Sequence, residues 1–290
     1  MKYITKSDIK IPTRKKESHK GDNGLVLAVG GSKDFVGAIA LAGLAALRSG
    51  CDLVKIIAPE RVAWSINAHS PDLITKKIRG DFFLPHHFDI IKNEVRKFDV
   101  LLVGNGIGLN NETKKFCRKA VNEIKKLKVI DADAIKSISM SGCENSILTP
   151  HSKELEYFLA NSKINKNIIK KIINEKNMVK KSKLIKTTTQ KFLDKNNIIL
   201  LKGKIDRIIS RDKIFHNKTG NAGMTKGGTG DVLAGLCAGF LAQSKDLIQS
   251  AINAAYFNGL IGDILLKKKK GFTYLASDMV EEINRIKIHS

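Results

Sequence analysis

Aromatic residues make up only 6% of this chain, with a single tryptophan, so little is available for stacking nucleic-acid bases. Cysteine is also sparse. Cys51, Cys117, Cys143 and Cys237 are scattered and no two form a CxxC pair. That spacing supports neither a zinc site nor a disulfide framework, and it fits a reducing cytoplasm. No apolar run reaches membrane-spanning length without a glycine, polar or charged break. The opening MKYITKSDIK lacks the apolar core of a secretory signal. Acidic residues are few, 28 against 51 lysines and arginines, which leaves a formal net charge of +23. The basic residues spread along the whole chain. The densest clusters, TRKKESHK at 13–20 and KKKK at 267–270, have no interleaved aromatics. A compositional bias, or a positive field that attracts small polyanions, explains them better than a nucleic-acid partner.

What the chain does have is length and apolar content: 290 residues, 42% hydrophobic, enough to bury a substantial core. There is no clean linker and no internal repeat, so one domain over residues 1–290 is expected. GLVLAVGG reads as a buried strand ending in glycines, VGAIALAGLAALRSG as a helix closed by Gly50, and DLVKIIAP as a second strand. Strand, glycine turn, helix and strand in that order mark a parallel unit with a right-handed crossover. The theme repeats in the strand FDVLLVGNGIG, the helix NETKKFCRKAVNEIKKL with capping chemistry at its start, and the short strands KVIDADA and NSILTPH. A Lys- and Asn-rich helical region over 161–195 leads to the strand NIILLKG, and DRIISRDKIFHN reads as a hairpin turning at its RD. The strand runs are continuously apolar, so helices are expected on both sheet faces. The fold class is therefore α/β, a three-layer sandwich with a mostly parallel central sheet. Ligands in such sheets bind at the carboxyl ends of the strands. Gly30-Gly31, GNGIG, Asp131-Ala132-Asp133, TPH, Lys202-Gly203 and GGTGD all fall at such ends.

The segment NKTGNAGMTKGGTGDVLAGLCAGF, residues 217–240, is the most informative. From Asp231 onward it reads as a helix buried nearly all round. Val232, Leu233, Leu236, Phe240 and Leu241 make its apolar face, and Ala234, Gly235, Ala238 and Gly239 keep the other side small. The N–H groups at its start have few protein partners, and GGTG turns them outward as an anion cradle reinforced by the helix dipole. Gly228 and Gly230 are expected to let backbone approach a phosphate and to need positive φ. The segment lacks the Lys-Ser/Thr pair of the P-loop, and its spacing is not GxGxxG. A carboxylate does not improve an anion cradle. Asp231 makes chemical sense as a base that takes a proton from a hydroxyl attacking the phosphoryl group held there. As a plain helix cap, Asp231 would leave Asn217, Gly220, Asn221 and Gly223 unexplained.

NKTGNAGMTKGGTGDVLAG closely resembles the signature of NAD(P)H-hydrate dehydratases, in the ribokinase-like superfamily. KGDNGLVLAVGGSKDFVGAIALAGLAALRSG, LLVGNGIG, VIDADA, LTPHSKE and LLKG are similar to the family's successive motifs, in order and over nearly the whole chain. The resemblance implies a repair enzyme that dehydrates the (S)-hydrates of NADH and NADPH, coupled to hydrolysis of ADP or ATP with Mg2+. Hydroxide leaves poorly, so phosphorylating the ring hydroxyl lets it depart as phosphate, pushed by the ring nitrogen lone pair. By position, Asp231 resembles the family's base, touching the hydrated ring. Gly227, Gly228, Thr229 and Gly230 resemble its anion hole. Ala38, Gly106 and His151 match substrate contacts, and Lys202, Gly203, Lys204, Ile205 and Asp206 match the nucleotide segment. Glu154 is a place for Mg2+, by analogy with related kinases. The epimerase half of the two-domain bacterial form has no room here and is expected on a separate chain. The family's habits also imply a homo-oligomer.

The sequence departs from the family pattern at three places. Asn105 stands where a proline is usual, and NGLIGD at 258–263 lacks a histidine often seen there. Lys226 precedes the double glycine where a small residue is usual, and it either adds phosphate affinity or points to solvent. Other residues admit plain readings. His151 is either an ordinary polar helix start or a site residue, and Asp131 and Asp133, sharing one strand face, either bind a metal or cap the next helix. His86-His87 reads as a solvated loop, and 267–270 as lysines satisfying the end of the preceding helix. The nearest alternative function is a small-molecule alcohol kinase, acting for instance on a hydroxymethylpyrimidine or a thiazole. TPH together with GNGIG favours the dehydratase, and an intact Asp231 argues against a silent nucleotide sensor.

Overall fold

The computed structural model describes residues 2–269, 271–286 and 288. In chain order the elements are β1 (Lys2–Tyr3), β2 (Leu25–Val29), α1 (Gly37–Arg48), β3 (Leu53–Pro59), α2 (Glu60–His69), β4 (Ile74–Ile78), α3 (Phe88–Glu94), β5 (Val100–Val103), α4 (Asn111–Glu123), β6 (Leu127–Ile130), α5 (Ala132–Ser137) and β7 (Ser146–Leu148). They continue as α6 (Ser152–Asn161), α7 (Lys166–Asn174), α8 (Met178–Thr188), α9 (Gln190–Leu193), β8 (Ile198–Leu201), β9 (Asp206–Ile209), β10 (Ile214–Asn217), α10 (Thr229–Ser244), α11 (Leu247–Lys268) and α12 (Ala276–Ile283).

The strands form one sheet in the order β1-β10-β9-β8-β7-β6-β5-β2-β3-β4. From β8 to β4 every pairing is parallel, β9 runs antiparallel to both β8 and β10, and β1 adds in parallel to β10. Side chains alternate between faces along each strand. Val26, Ala28, Val54, Ile56, Val100 and Leu102 pack with residues of α1, α2, α10, α11 and α12. Leu27, Val29, Ile57, Leu101 and Val103 pack with residues of α3 to α9 on the other side. Two dry cores, one on each face, make the three layers expected from the continuously apolar strands. Asn110, Asn165, Asn177 and Asp246 accept backbone N–H groups at the starts of α4, α7, α8 and α11. Such caps contribute about 1 kcal/mol each.

The chain winds from β2 outward through β3 to β4, then returns to place β5 on the other side of β2. This reversal opens a crevice at the carboxyl ends of β2 and β5. Helix α10 lies behind that crevice, and Val232 to Ala242 are all buried. It reaches this depth because its glycines admit α1. A Cβ at Gly235 would overlap the Ala42 carbonyl, and one at Gly239 would meet the Ala46 carbonyl at 2.6 Å.

Several details differ from expectation. The strand read in KVIDADA stops at Ile130. Asp131 becomes the cap of α5 and Ala132 takes φ +51°, so Asp131 and Asp133 do not share a strand face. His87 is buried rather than solvated, and its Nδ1 accepts the Leu84 amide at 3.1 Å. At the end of α11, Lys268 pairs with Glu282 and Lys269 with Asp278, so these lysines tie down α12 instead of merely meeting a helix end; Lys270 lies outside the described residues. Edge strands β1 and β4 were not legible in sequence, because KY is too short and ITKKI interleaves lysines.

Candidate active site

Asp231 sits in the first turn of α10, and its Oδ1 accepts from Asn105 Nδ2 at 2.7 Å. The same nitrogen donates to Asp131 Oδ2 at 2.9 Å. Asp131 Oδ1 accepts from Thr149 Oγ1 at 2.6 Å and from Lys202 Nζ at 3.0 Å. Lys202 Nζ also lies 3.7 Å from Glu154 Oε2. The carboxyl ends of β5, β6, β7 and β8 and the start of α10 thus converge on three carboxylates and one ammonium. Burial, and then the charge of Asp131, lift the Asp231 carboxyl to about 7, against the pull of Asn105 and Lys202. For Lys202, burial opposes the charge, but Asp131, Glu154 and Asp231 outweigh it and hold its pKa above the ordinary lysine value.

The start of α10 leaves backbone amides unpaired: those of Gly227, Gly228, Gly230 and Asp231 carry no hydrogen bond among the described residues. Gly228 takes φ +92°, and a Cβ there would come within 2.7 Å of Ala276 Cβ. Gly230 differs from expectation: its φ is not positive, and it is already helical. Its small size matters for a different reason, since a Cβ there would approach Lys202 Nζ at 3.3 Å. Thr229 turns its hydroxyl back to the Met224 and Lys226 carbonyls at 2.7 and 2.9 Å, which holds the approaching loop. Lys226 is half-buried. Its ammonium is bound to the carbonyls of Phe272 and Tyr274.

The rest of the glycine-rich approach is scaffolding. Asn217 Nδ2 reaches the Ala255 carbonyl at 2.9 Å and Asp206 Oδ2 at 3.2 Å. The Gly220 amide donates to Asp263 at 2.9 Å, and Asn221 Oδ1 accepts from the Gly223 amide and from the Tyr274 hydroxyl. Gly223 has no room for a Cβ beside the Tyr274 ring.

On the other wall, a Cβ at Gly106 (φ +64°) would lie 3.1 Å from Ala38 Cβ, so Ala38 and Gly106 are neighbours. Ser32 Oγ donates to the Gly106 carbonyl at 2.9 Å and pins this corner, where Phe35 is exposed. His151 starts α6. Its Nδ1 accepts from the Lys153 and Glu154 amides, and Glu154 Oε2 accepts the His151 amide at 2.9 Å. It is therefore a helix cap whose ring edge faces Glu154 at 3.3 Å. Burial keeps the imidazole below its ordinary pKa, despite the opposing charge of Glu154. After β8, the loop of Lys202, Gly203, Lys204, Ile205 and Asp206 is closed by Asp206, which accepts the Gly203 amide at 3.0 Å. Burial raises that carboxyl to about 6. Among the described residues, no three His, Cys, Asp or Glu side chains converge as a metal cage. A pocket of about 540 Å³ among Leu193, Asn196, Ser210, Arg211 and Lys245 opens away from the cluster, at the other end of β8. Two partners went unassigned in the sequence: Thr149, and Asn105 as a donor. Their only signal was position at a strand end.

Against known proteins, the family described as NAD(P)H-hydrate dehydratase matches residues 26–285. The chain belongs to that family. A bifunctional NAD(P)H-hydrate repair enzyme of Methanocaldococcus jannaschii is 42% identical over 276 residues, covering 94% of this chain and 50% of that protein. The chain thus spans about half the length of the first curated relatives it matches. The ADP-dependent (S)-NAD(P)H-hydrate dehydratase of Nitrosopumilus maritimus is 31% identical over 281 residues, covering 95% of this chain and 92% of that one. Among solved structures, a ribokinase-like superfamily protein of Enterococcus faecalis superposes with TM-score 0.81 at 26% identity, covering 98% of this chain and 94% of that one. The ADP/ATP-dependent NAD(P)H-hydrate dehydratase of Bacillus subtilis, co-crystallized with ATP/Mg2+, gives 0.76 at 26%, covering 95% and 92%. The fold of this family member is ribokinase-like. No helix among the described residues is long and apolar enough to cross a membrane.

Proposed function

We propose that this chain dehydrates the (S)-hydrates of NADH and NADPH to the reduced nucleotides, using ADP or ATP as phosphoryl donor. The observation that carries the reading is Asp231. A carboxyl with a pKa near 7 stands at the mouth of a helix start whose amides have no acceptor, inside a chain of this family. A base should titrate near the working pH, and an anion held by backbone amides leaves that base free to act.

In this reading the Gly227, Gly228, Gly230 and Asp231 amides hold the transferred phosphoryl group, and Lys202 offsets its charge from the β8 side. Asp231 takes the proton of the ring hydroxyl as that oxygen bonds to phosphorus and the nucleotide leaves one phosphoryl shorter. The ring nitrogen lone pair then expels phosphate, and loss of the neighbouring ring proton restores the double bond. Ala38 and Gly106 leave room for the ring, and His151 flanks it. The 202–206 loop receives the nucleotide. Mg2+ fits this site only as an ion carried chiefly by phosphate oxygens and water, with Glu154 as the carboxylate offered. When bound it would supply positive charge to the phosphates.

The test mixes the protein with Mg2+, hydrated NADH and either ADP or ATP. Reduced-nicotinamide absorbance is expected to return only with nucleotide, with an equal amount of free phosphate. Recovery without nucleotide would overturn the phosphoryl-transfer mechanism, and no recovery with either nucleotide would overturn the function. A persistent phosphate ester would assign the chain to alcohol kinases instead.

A further inference from the structure

Asn105 lies at the crevice between β2 and β5 and has no exposed surface. Its backbone is fixed first. Its carbonyl accepts the Gly31 amide at 2.8 Å, and a Cβ at Gly30 would overlap that carbonyl. Its side-chain nitrogen then serves two acids at once, Asp231 Oδ1 at 2.7 Å and Asp131 Oδ2 at 2.9 Å. The opposite amide orientation would turn Oδ1 against both carboxylates, so electrostatics sets the direction. As placed, Oδ1 is buried without a hydrogen-bond partner among the described residues. A buried acceptor left unpaired is unfavourable, and native structures keep few of them. The fold tolerates this one in order to point the amide nitrogen at two carboxylates.

We propose that Asn105 is the positioning residue of the base: it fixes the Asp231 carboxylate at the cradle and favours its ionised form beside Asp131. The inference rests on Asp231 acting as the base in the reading above. Four groups face Asp231. Asp131 at the end of β6 and Glu154 on α6 favour its protonated form, whereas Lys202 at the end of β8 and Asn105 favour the carboxylate. Lys202 is committed to Asp131 and Glu154. Asn105 is the one group hydrogen-bonded to the Asp231 side chain among the described residues. Removing it leaves the base with its like-charged neighbours and no donor of its own.

Asn105→Leu keeps the side-chain shape and deletes the donor, and Asn105→Ala deletes it with less bulk if leucine impairs folding. The first readout needs no substrate: the carboxyl-carbon NMR signal of Asp231, assigned by its loss in Asp231→Asn, is titrated in each protein. Its midpoint is expected to rise by about one pH unit in the Asn105 variants. The second readout is kcat/KM against pH with hydrated NADH and nucleotide. Its acid limb is expected to move up by the same amount, while kcat on the alkaline plateau stays within several-fold of wild type. An unchanged midpoint would overturn the proposal, as would a loss of kcat/KM equal at every pH. If the wild-type protein turns over no substrate, the proposed function fails, yet the Asp231 midpoint still decides the role of Asn105.

Discussion

At the scale of single residues, Asp231 is costly to the fold. Its ordinary pKa is 3.8, and burial beside Asp131 raises it to about 7. Below 3.8 it is protonated in the folded and unfolded chain alike and stability is unaffected. Between the two values the folded chain keeps a proton that the unfolded chain gives up, so stability falls as pH rises and the loss is complete above 7. Asp231→Asn removes the buried charge, and it deletes no helix cap, since the cap position of α10 is Gly228. It is expected to melt at a higher temperature than wild type at pH 8, with the gain shrinking as pH falls toward 3.8. The same variant is expected to lose about 10²–10⁴ in kcat with nucleotide affinity little changed. Near wild-type turnover in folded Asp231→Asn would remove it from the chemistry, and a lower melting temperature at pH 8 would contradict its placement beside Asp131. Its candidacy was legible in GGTGD, because a carboxylate at an anion cradle has few other uses. Its partners were not. Asn105 and Asp231 are separated by 126 positions, and nothing local to GNGIG says which way the amide points.

At the scale of elements, the inner parallel strands and helix α10 were readable because they are dominated by apolar residues, a pattern that no surface element sustains. The end of β6 was misread, because VIDADA looks like a strand, yet the chain turns into α5 right after Asp131, with Ala132 at positive φ. The glycines of α10 divide into two kinds, and substitutions separate them. Gly235→Ala forces a methyl group against the Ala42 carbonyl and is expected to cost about 1–3 kcal/mol in denaturant unfolding. Gly228→Ala adds no overlap with backbone of α1, but it opposes φ +92° at the start of α10 and crowds the side chains of Ala276 and Leu41. It is expected to weaken nucleotide binding and turnover more than global stability. Equal effects of the two variants on binding would mean that the cradle is only a turn.

At the scale of the whole molecule, the net charge of +23 has no aromatic platform and no single basic stripe in the sequence to concentrate it. Mixed-sequence duplex DNA is therefore expected to bind no tighter than about micromolar at physiological salt, the ordinary non-specific range, by fluorescence anisotropy. Sub-micromolar affinity at that salt would reinstate a nucleic-acid partner. The burial of α10 sets how the molecule breathes. The amides of residues 233–242 lie at its centre, so their protons exchange with solvent only when the whole fold opens. One turn earlier, the Gly227, Gly228, Gly230 and Asp231 amides have no acceptor to protect them. In deuterated water this one helix is expected to show the steepest protection gradient in the chain by exchange mass spectrometry, flattening at its first turn when ADP is added. Uniform protection along α10, or a first turn indifferent to ADP, would mean that those amides serve the fold and not a phosphate.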